Sequence, residues 1–351
     1  MKHHRTQVAF NRRAALQAAG SGFGSMALSS LLRADQTTNH PAAATNVIQI
    51  FCPGGMSQVD TFDYKPELHR RAGQPFDTDG KLQFFASKPG NCQPSFWRFR
   101  QHGESGRWIS SLFPRLATHV DDMAFIYSMH SKSALHGPAC FMMNTGFTLP
   151  GFPSMGSWVT YGLGTENENL PGFVVLPRTS YPQGGSANWS NGFLPADYQG
   201  TPLRPKGSPI LDLDPPDGVS REQQRENLDL LATLNQPHLA QRSGRTDLEA
   251  RMNSYELAYR MQTEVPGVLD LEGEDAATLD AYGIGDAKTE AFGRKCLLAR
   301  RLVEKGVRFV QAYAGNWDSH DYIHRAHGAL TKAVDQPIAA LLKDLKQRDL
   351  L

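Results

Sequence analysis

Three short stretches of the chain are almost continuously apolar. They are "VIQIF" at residues 47–51, "GFVVLP" at 172–177 and "VRFVQAYA" at 307–314. Runs of this length and density belong to strands covered on both faces, as in a parallel sheet. A fourth run, "MAFIY" from Met123 to Tyr127, has the same character and predicts another strand. Between these runs the apolar spacing lengthens to that of helices. "EAFGRKCLLARRLVEKG" is amphipathic, stops at Gly306 and feeds directly into the strand at 307–314. "GPACFMMNTG" predicts a helix with Pro138 in its first turn and Gly146 as its stop. Further helices are expected over about 109–120, in "PSMGSWVTYGLG", from Ser220 to Gln262 and from Tyr322 to Arg348. Strands alternating with helices predict an α/β fold, a mostly parallel sheet with helices on both faces. Two stretches break the alternation. Residues 60–110 show no sustained period and suggest a surface excursion, and residues 180–218 are rich in Gly, Pro, Asn and Asp and suggest a loop insertion lining a cleft.

Composition narrows the function classes. A chain of 351 residues with 40% hydrophobic content can build a sizeable core. Lys and Arg total 36 against 35 for Asp and Glu, so no global charge bias recruits nucleic acid or an anionic membrane. The four cysteines (Cys52, Cys92, Cys140, Cys296) form no CxxC pair and no structural zinc spacing. Near the amino terminus, "NRRAALQAAGSGFGSMALSSLL" joins Arg12 and Arg13 to a weakly hydrophobic run of Gly, Ala and Ser. This is the layout of a twin-arginine export signal over residues 1–34, with the twin-arginine translocation machinery as partner and the periplasm or exterior as destination. The run is too short and interrupted for a stable transmembrane span. The mature α/β domain is then expected over 45–351.

In open α/β sheets ligands bind beyond the carboxyl ends of the strands, so the loops that follow them are the places to search. "GGMSQVDTFDYKP" follows the first strand and offers Ser57, Asp60 and Asp63; "SMHSKSALHGP" offers His130, Ser131, Ser133 and His136; "GNWDSHDYIH" offers Asp318, His320, Asp321 and His324. Carboxylates and imidazoles at one sheet edge suit a divalent metal of the zinc, manganese or iron type. Each residue also has a plain structural reading. Asp318 can cap the final helix or an Asx-turn, Asp60 and Asp63 can form turns, and His324 and His327 fall inside the last helix as surface or packing residues.

Taken together, "NRRAALQAAG", "VIQIFCPGGMSQVDTFDYKP", "MAFIYSMHSKSALHGPACFMMNTGF" and "AGNWDSHDYIHR" resemble the domain of unknown function 1501 family. These are secreted proteins abundant in planctomycete-type bacteria and grouped with the alkaline phosphatase and sulfatase superfamily. The resemblance implies an alkaline phosphatase-like sheet carrying one or two divalent metals at its carboxyl edge. On that pattern Asp60 resembles the first-loop metal ligand, and Asp318 with His320 the middle Asp/His set. The Cys/Ser-x-Pro-x-Arg segment of sulfatases is absent. His136 stands where a nucleophile is expected, and Ser133 is the nearest hydroxyl. The resemblance also implies a further strand, a second Asp-His pair and a late His beyond the final helix, so this chain is expected to be C-terminally truncated. The leading expectation is an exported, metal-dependent hydrolase-like protein acting on small-molecule or polysaccharide esters of phosphate or sulfate. Asp60, Asp318 and His320 would be metal ligands, and Ser57, Ser133 and His136 would serve as nucleophile, substrate contact or proton carrier. The alternative is a non-catalytic cell-envelope binding protein that keeps the fold.

Overall fold

A computed structural model describes residues 44–351 apart from 82–88, 205–209, 211, 212, 214, 216 and 242–245. The twin-arginine segment lies outside the described residues. The sheet has four strands, all parallel, in the order β1 (Val47–Phe51), β6 (Phe309–Tyr313), β4 (Phe173–Leu176) and β5 (Thr201–Pro202). β2 (Phe99–His102) and β3 (Arg107–Ser110) form a separate antiparallel hairpin.

The alternation of side chains along the three long strands divides the interior into two cores. Phe51, Phe173, Val175, Phe309 and Tyr313 point to one face, where they meet Cys140 and Trp189. Val174, Leu176, Val310 and Ala312 point to the other and join the larger core, with Ile48 and Ile50 packed against it. The first face is covered by α3 (His136–Thr145) and α4 (Met155–Leu163). The second is covered by α8 (Glu290–Glu304) and α9 (Ile323–Gln347). Helices on both faces account for strands that read as apolar along most of their length: β4 and β6 are buried at every residue, and the edge strand β1 is partly buried. The short α1 (Gln58–Thr61) and α2 (Pro66–Arg70) follow β1, and α5 (Arg221–Ala240), α6 (Thr246–Leu269) and α7 (Ala276–Ala281) lie between β5 and α8.

α8 stops as its sequence predicts. Gly306 adopts φ +82°, its N–H donates to Val303 O at 3.0 Å, and Val307 N–H donates to Leu302 O at 3.0 Å. This Schellman closure turns the chain straight into β6.

Two expectations fail. Residues 123–127 form no strand, because the segment finds no ladder partner and packs through its rings, Phe125 against Phe62 at 6.0 Å. Residues 109–120 are not one helix: β3 ends at Ser110 and a 3-10 helix runs from Leu116 to Asp122. Pro114 explains the break, since it disfavours helical backbone at Phe113 and donates no hydrogen bond. The stretch at 180–218, expected as a loop insertion lining a cleft, also contributes to the core. Asn188 and Trp189 are fully buried in a 3-10 turn, Gly185–Trp189.

Candidate metal centre

The loops after β1 and β6 are stitched together beyond the ends of the strands. Ala314 N–H donates to Phe51 O at 2.9 Å and Trp317 N–H to Pro53 O at 2.8 Å. Gly54 makes this approach possible. It sits at φ +100°, and a Cβ there would lie 2.5 Å from Asp318 N, 2.7 Å from Asn316 Oδ1 and 2.8 Å from Trp317 N. Only glycine combines that backbone conformation with that proximity. Trp317 is fully buried and donates from Nε1 to Ala314 O at 2.9 Å, so the loop is anchored immediately before the position from which Asp318 projects.

His136 is the first residue of α3, and a chain of buried amides holds that helix on the sheet. Gln311 on β6 donates from Nε2 to Asn144 Oδ1 at 2.8 Å, and Asn144 donates to Asn188 Oδ1 at 3.1 Å and to Cys140 O at 2.9 Å. Asn188 in turn donates to Gln183 O and Gly185 O, both at 3.0 Å. A glutamine inside an otherwise apolar strand is thereby satisfied on its donor side, and α3 gains a fixed position.

The result is a meeting of three side chains. His136 Nε2 lies 3.2 Å from Asp318 Oδ2, and His320 Nε2 lies 2.8 Å from Asp318 Oδ1. One ligand atom from each of the three lies within 4.8 Å of the others. Each imidazole takes a different oxygen of one carboxylate. Two nitrogens and one oxygen form a donor set that zinc, manganese or iron accepts. The side chains of His136 and Asp318 are about one-third exposed (34% and 31%) and that of His320 is 82% exposed, so coordination positions remain open to solvent. That openness fits a reactive site better than a closed structural one.

Asp318 and His320, read as metal ligands, therefore come together, and His136, read as nucleophile or proton carrier, completes the trio. Asp60 is placed elsewhere. It is buried and accepts from Ser57 Oγ at 2.6 Å, the short distance of a charge-assisted bond. Ser133 lies in the exposed loop before α3, where its Oγ accepts from Leu135 N–H at 3.1 Å as a turn-forming hydroxyl does. His324 is exposed beside the Phe96 ring at 5.2 Å.

His327 has a larger part than sequence spacing gave it. It is 1% exposed, accepts at Nε2 from Ser57 N–H at 3.0 Å, and places Nδ1 3.3 Å from Ser319 Oγ. The accepting role at Nε2 assigns the ring proton to Nδ1. Burial pushes the imidazole below its usual pKa while the charge of Asp60 opposes that shift. One neutral ring thus joins the first-strand loop to Ser319, the residue between Asp318 and His320. The four cysteines are free thiols, and burial pushes the Cys52 thiol up to about 12, which removes it as a nucleophile.

A family model described as protein of unknown function (DUF1501) matches residues 44–351. The chain belongs to this family. The match spans the sheet, both helical layers and all three residues of the cluster in this DUF1501 protein. No curated protein and no solved structure matches. Among the described residues no helix is long and apolar enough to cross a membrane.

Proposed function

We propose that this DUF1501 protein is an exported metal-dependent hydrolase-like protein acting on phosphate or sulfate esters. The observation that carries the reading is the convergence of His136, Asp318 and His320 at the carboxyl edge of a parallel sheet. A divalent ion held there would supply Lewis-acid stabilisation of a developing oxyanion. The chain's own part is to hold two imidazoles and a carboxylate in fixed relation. The Gly54 approach and the Trp317 anchor place Asp318, and the Gln311–Asn144 amides place His136. Ser57, already donating to Asp60, is the better placed of the two serine hydroxyls to lose a proton. The twin-arginine signal read at residues 1–34 supports the assignment to the periplasm or exterior.

Calorimetric titration of the purified chain with zinc and with manganese tests the reading. Saturable binding at one site, abolished by Asp318→Ala and His320→Ala, is the expected result. Absence of binding at micromolar metal, or binding indifferent to both substitutions, overturns it.

A second reading, a cell-envelope binding protein, is favoured by a run of solvent-facing rings. Trp158 and Tyr161 on α4 pack edge-on at 6.1 Å, Trp158 meets Phe193 at 5.7 Å, and Phe147 stacks on Phe152 at 3.7 Å. Retention of polysaccharide binding in the Asp318→Ala protein, with no metal bound by the unaltered one, would favour this reading.

A further inference from the structure

Two cations stand at the carboxyl edge, and among the described residues no carboxylate is paired with either. β4 and β6 are parallel neighbours with Leu176 opposite Ala312, so Arg178, two residues beyond β4, leaves the sheet at the same edge as Tyr313. Lys295 reaches that edge from α8 and donates from Nζ to Tyr313 O at 3.0 Å. Both residues are half-buried. Desolvation, and then the nearby charge of Arg178, lower the Lys295 pKa to about 8. Among the described residues neither cation has a carboxylate partner. An ammonium has three N–H donors and a guanidinium five, whereas Tyr313 O takes only one of these eight. Two half-buried cations held together without an acid cost free energy, and an anion accepting from both would recover it.

We infer that Arg178 and Lys295 form an oxyanion-binding pair that takes the tetrahedral anion of phosphate or sulfate, free or as an ester headgroup. The planar guanidinium fork matches two oxygens of such a group, and the ammonium supplies a point charge to a third. The pair comes from β4's exit and α8, elements that contribute no side chain to the His136–Asp318–His320 cluster. Its use for a substrate headgroup rests on the hydrolase reading, whereas its affinity for the anion does not.

The test is calorimetric titration of the full chain, in chloride buffer with EDTA, using sulfate, phosphate and phenyl phosphate. Saturable one-site binding is expected for the unaltered protein. Arg178→Ala and Lys295→Met should each weaken it about tenfold or more, the scale of a lost charge-assisted hydrogen bond. Arg294→Ala, which removes an exposed neighbouring cation already paired to Glu290, should leave binding unchanged. Because Arg178 follows a strand and is partly exposed, its variant is expected to fold even where the Lys295 variant does not. Absence of binding in the unaltered protein, unchanged affinity in Arg178→Ala, or an equal loss in Arg294→Ala overturns the proposal. EDTA keeps this result apart from the metal reading. Metal binding without oxyanion binding defeats the pair and leaves the hydrolase reading standing, and oxyanion binding without metal binding does the reverse. Tighter binding of phenyl phosphate than of phosphate assigns the pair to an ester headgroup, and equal binding assigns it to the free ion.

Discussion

Ser57 N–H donates to His327 Nε2 at 3.0 Å across a sequence separation of 270 residues. The bond joins the loop after the first strand to the last helix, and it requires an unprotonated nitrogen. Burial keeps the imidazole below its ordinary pKa. The unfolded chain, with a His pKa of about 6.5, therefore binds the proton more readily than the folded one. Stability should be complete above about pH 6.5 and should fall as pH drops from there towards the lowered folded value. Thermal midpoints between pH 5 and 8 check this. His327→Gln should lower the midpoint at pH 7.5 and flatten the acid-side slope. An identical slope in both proteins would assign the acid sensitivity to other groups.

Gly54 is the tightest backbone approach at the candidate site. Gly54→Ala would place a methyl group 2.5 Å from Asp318 N and force a residue with a Cβ to hold φ +100°. A loss of about 2 kcal/mol in denaturant unfolding is expected, together with weaker metal binding as the Asp318 loop is displaced. Gly55 offers a control. It has φ +90° and nothing within 4 Å of the added Cβ, so Gly55→Ala should cost backbone strain alone and leave metal affinity intact. Equal metal affinity in both variants would show that the loop tolerates the displacement.

The strands at 47–51, 173–176 and 309–313 were legible because both faces of the sheet are packed by helices, which leaves a nearly continuous apolar signature interrupted only by Gln49 and Gln311. Helix ends marked by Gly146 and Gly306 were legible because each demands a left-handed backbone that glycine supplies. The β2–β3 hairpin was not. Its turn is fixed by Asp121, whose carboxylate accepts from Glu104 N–H and Ser105 N–H, both at 2.9 Å, and such a contact leaves no periodic trace in residues 99–110. Asp318 and His320 could be singled out by their nearness to each other after an apolar run. His327 could not, since its burial depends on Ser57 and Ser319 closing around it. Arg178 and Lys295 become neighbours only through the pairing of β4 with β6 and the return of α8.

Asp335 on α9 is buried and holds the 3-10 helix at Leu116–Asp122 by accepting from Arg115 N–H at 3.0 Å and Leu116 N–H at 2.8 Å. Asp335→Ala leaves both donors without their partner beside the larger core. A destabilisation of about 3 kcal/mol is expected by urea unfolding, the sum of lost charge-assisted bonds and the desolvation penalty of the orphaned groups. Asp335→Asn keeps one oxygen acceptor and should fall between the two. A near-neutral Ala variant would mean that water replaces the carboxylate.

Four histidines in or beside the strand-end loops compete as ligands, and the geometry separates them. His136 and His320 each contact a different oxygen of Asp318, whereas His324 faces Phe96 in solvent and His130 is exposed. His136→Ala should reduce zinc or manganese affinity at least about tenfold, as loss of one of three proposed ligands should exceed the effect of losing a supporting residue. His324→Ala and His130→Ala should leave it unchanged. Asn144→Ala tests the same placement at a distance: it cuts the amide chain from Gln311 to Asn188, so α3 should lose its fixed seat and carry His136 away from Asp318. Its metal affinity should fall with the His136 and Asp318 side chains intact. Were His136→Ala to bind metal normally, the ion would be held by the Asp318 loop alone and α3 would have no part in the centre.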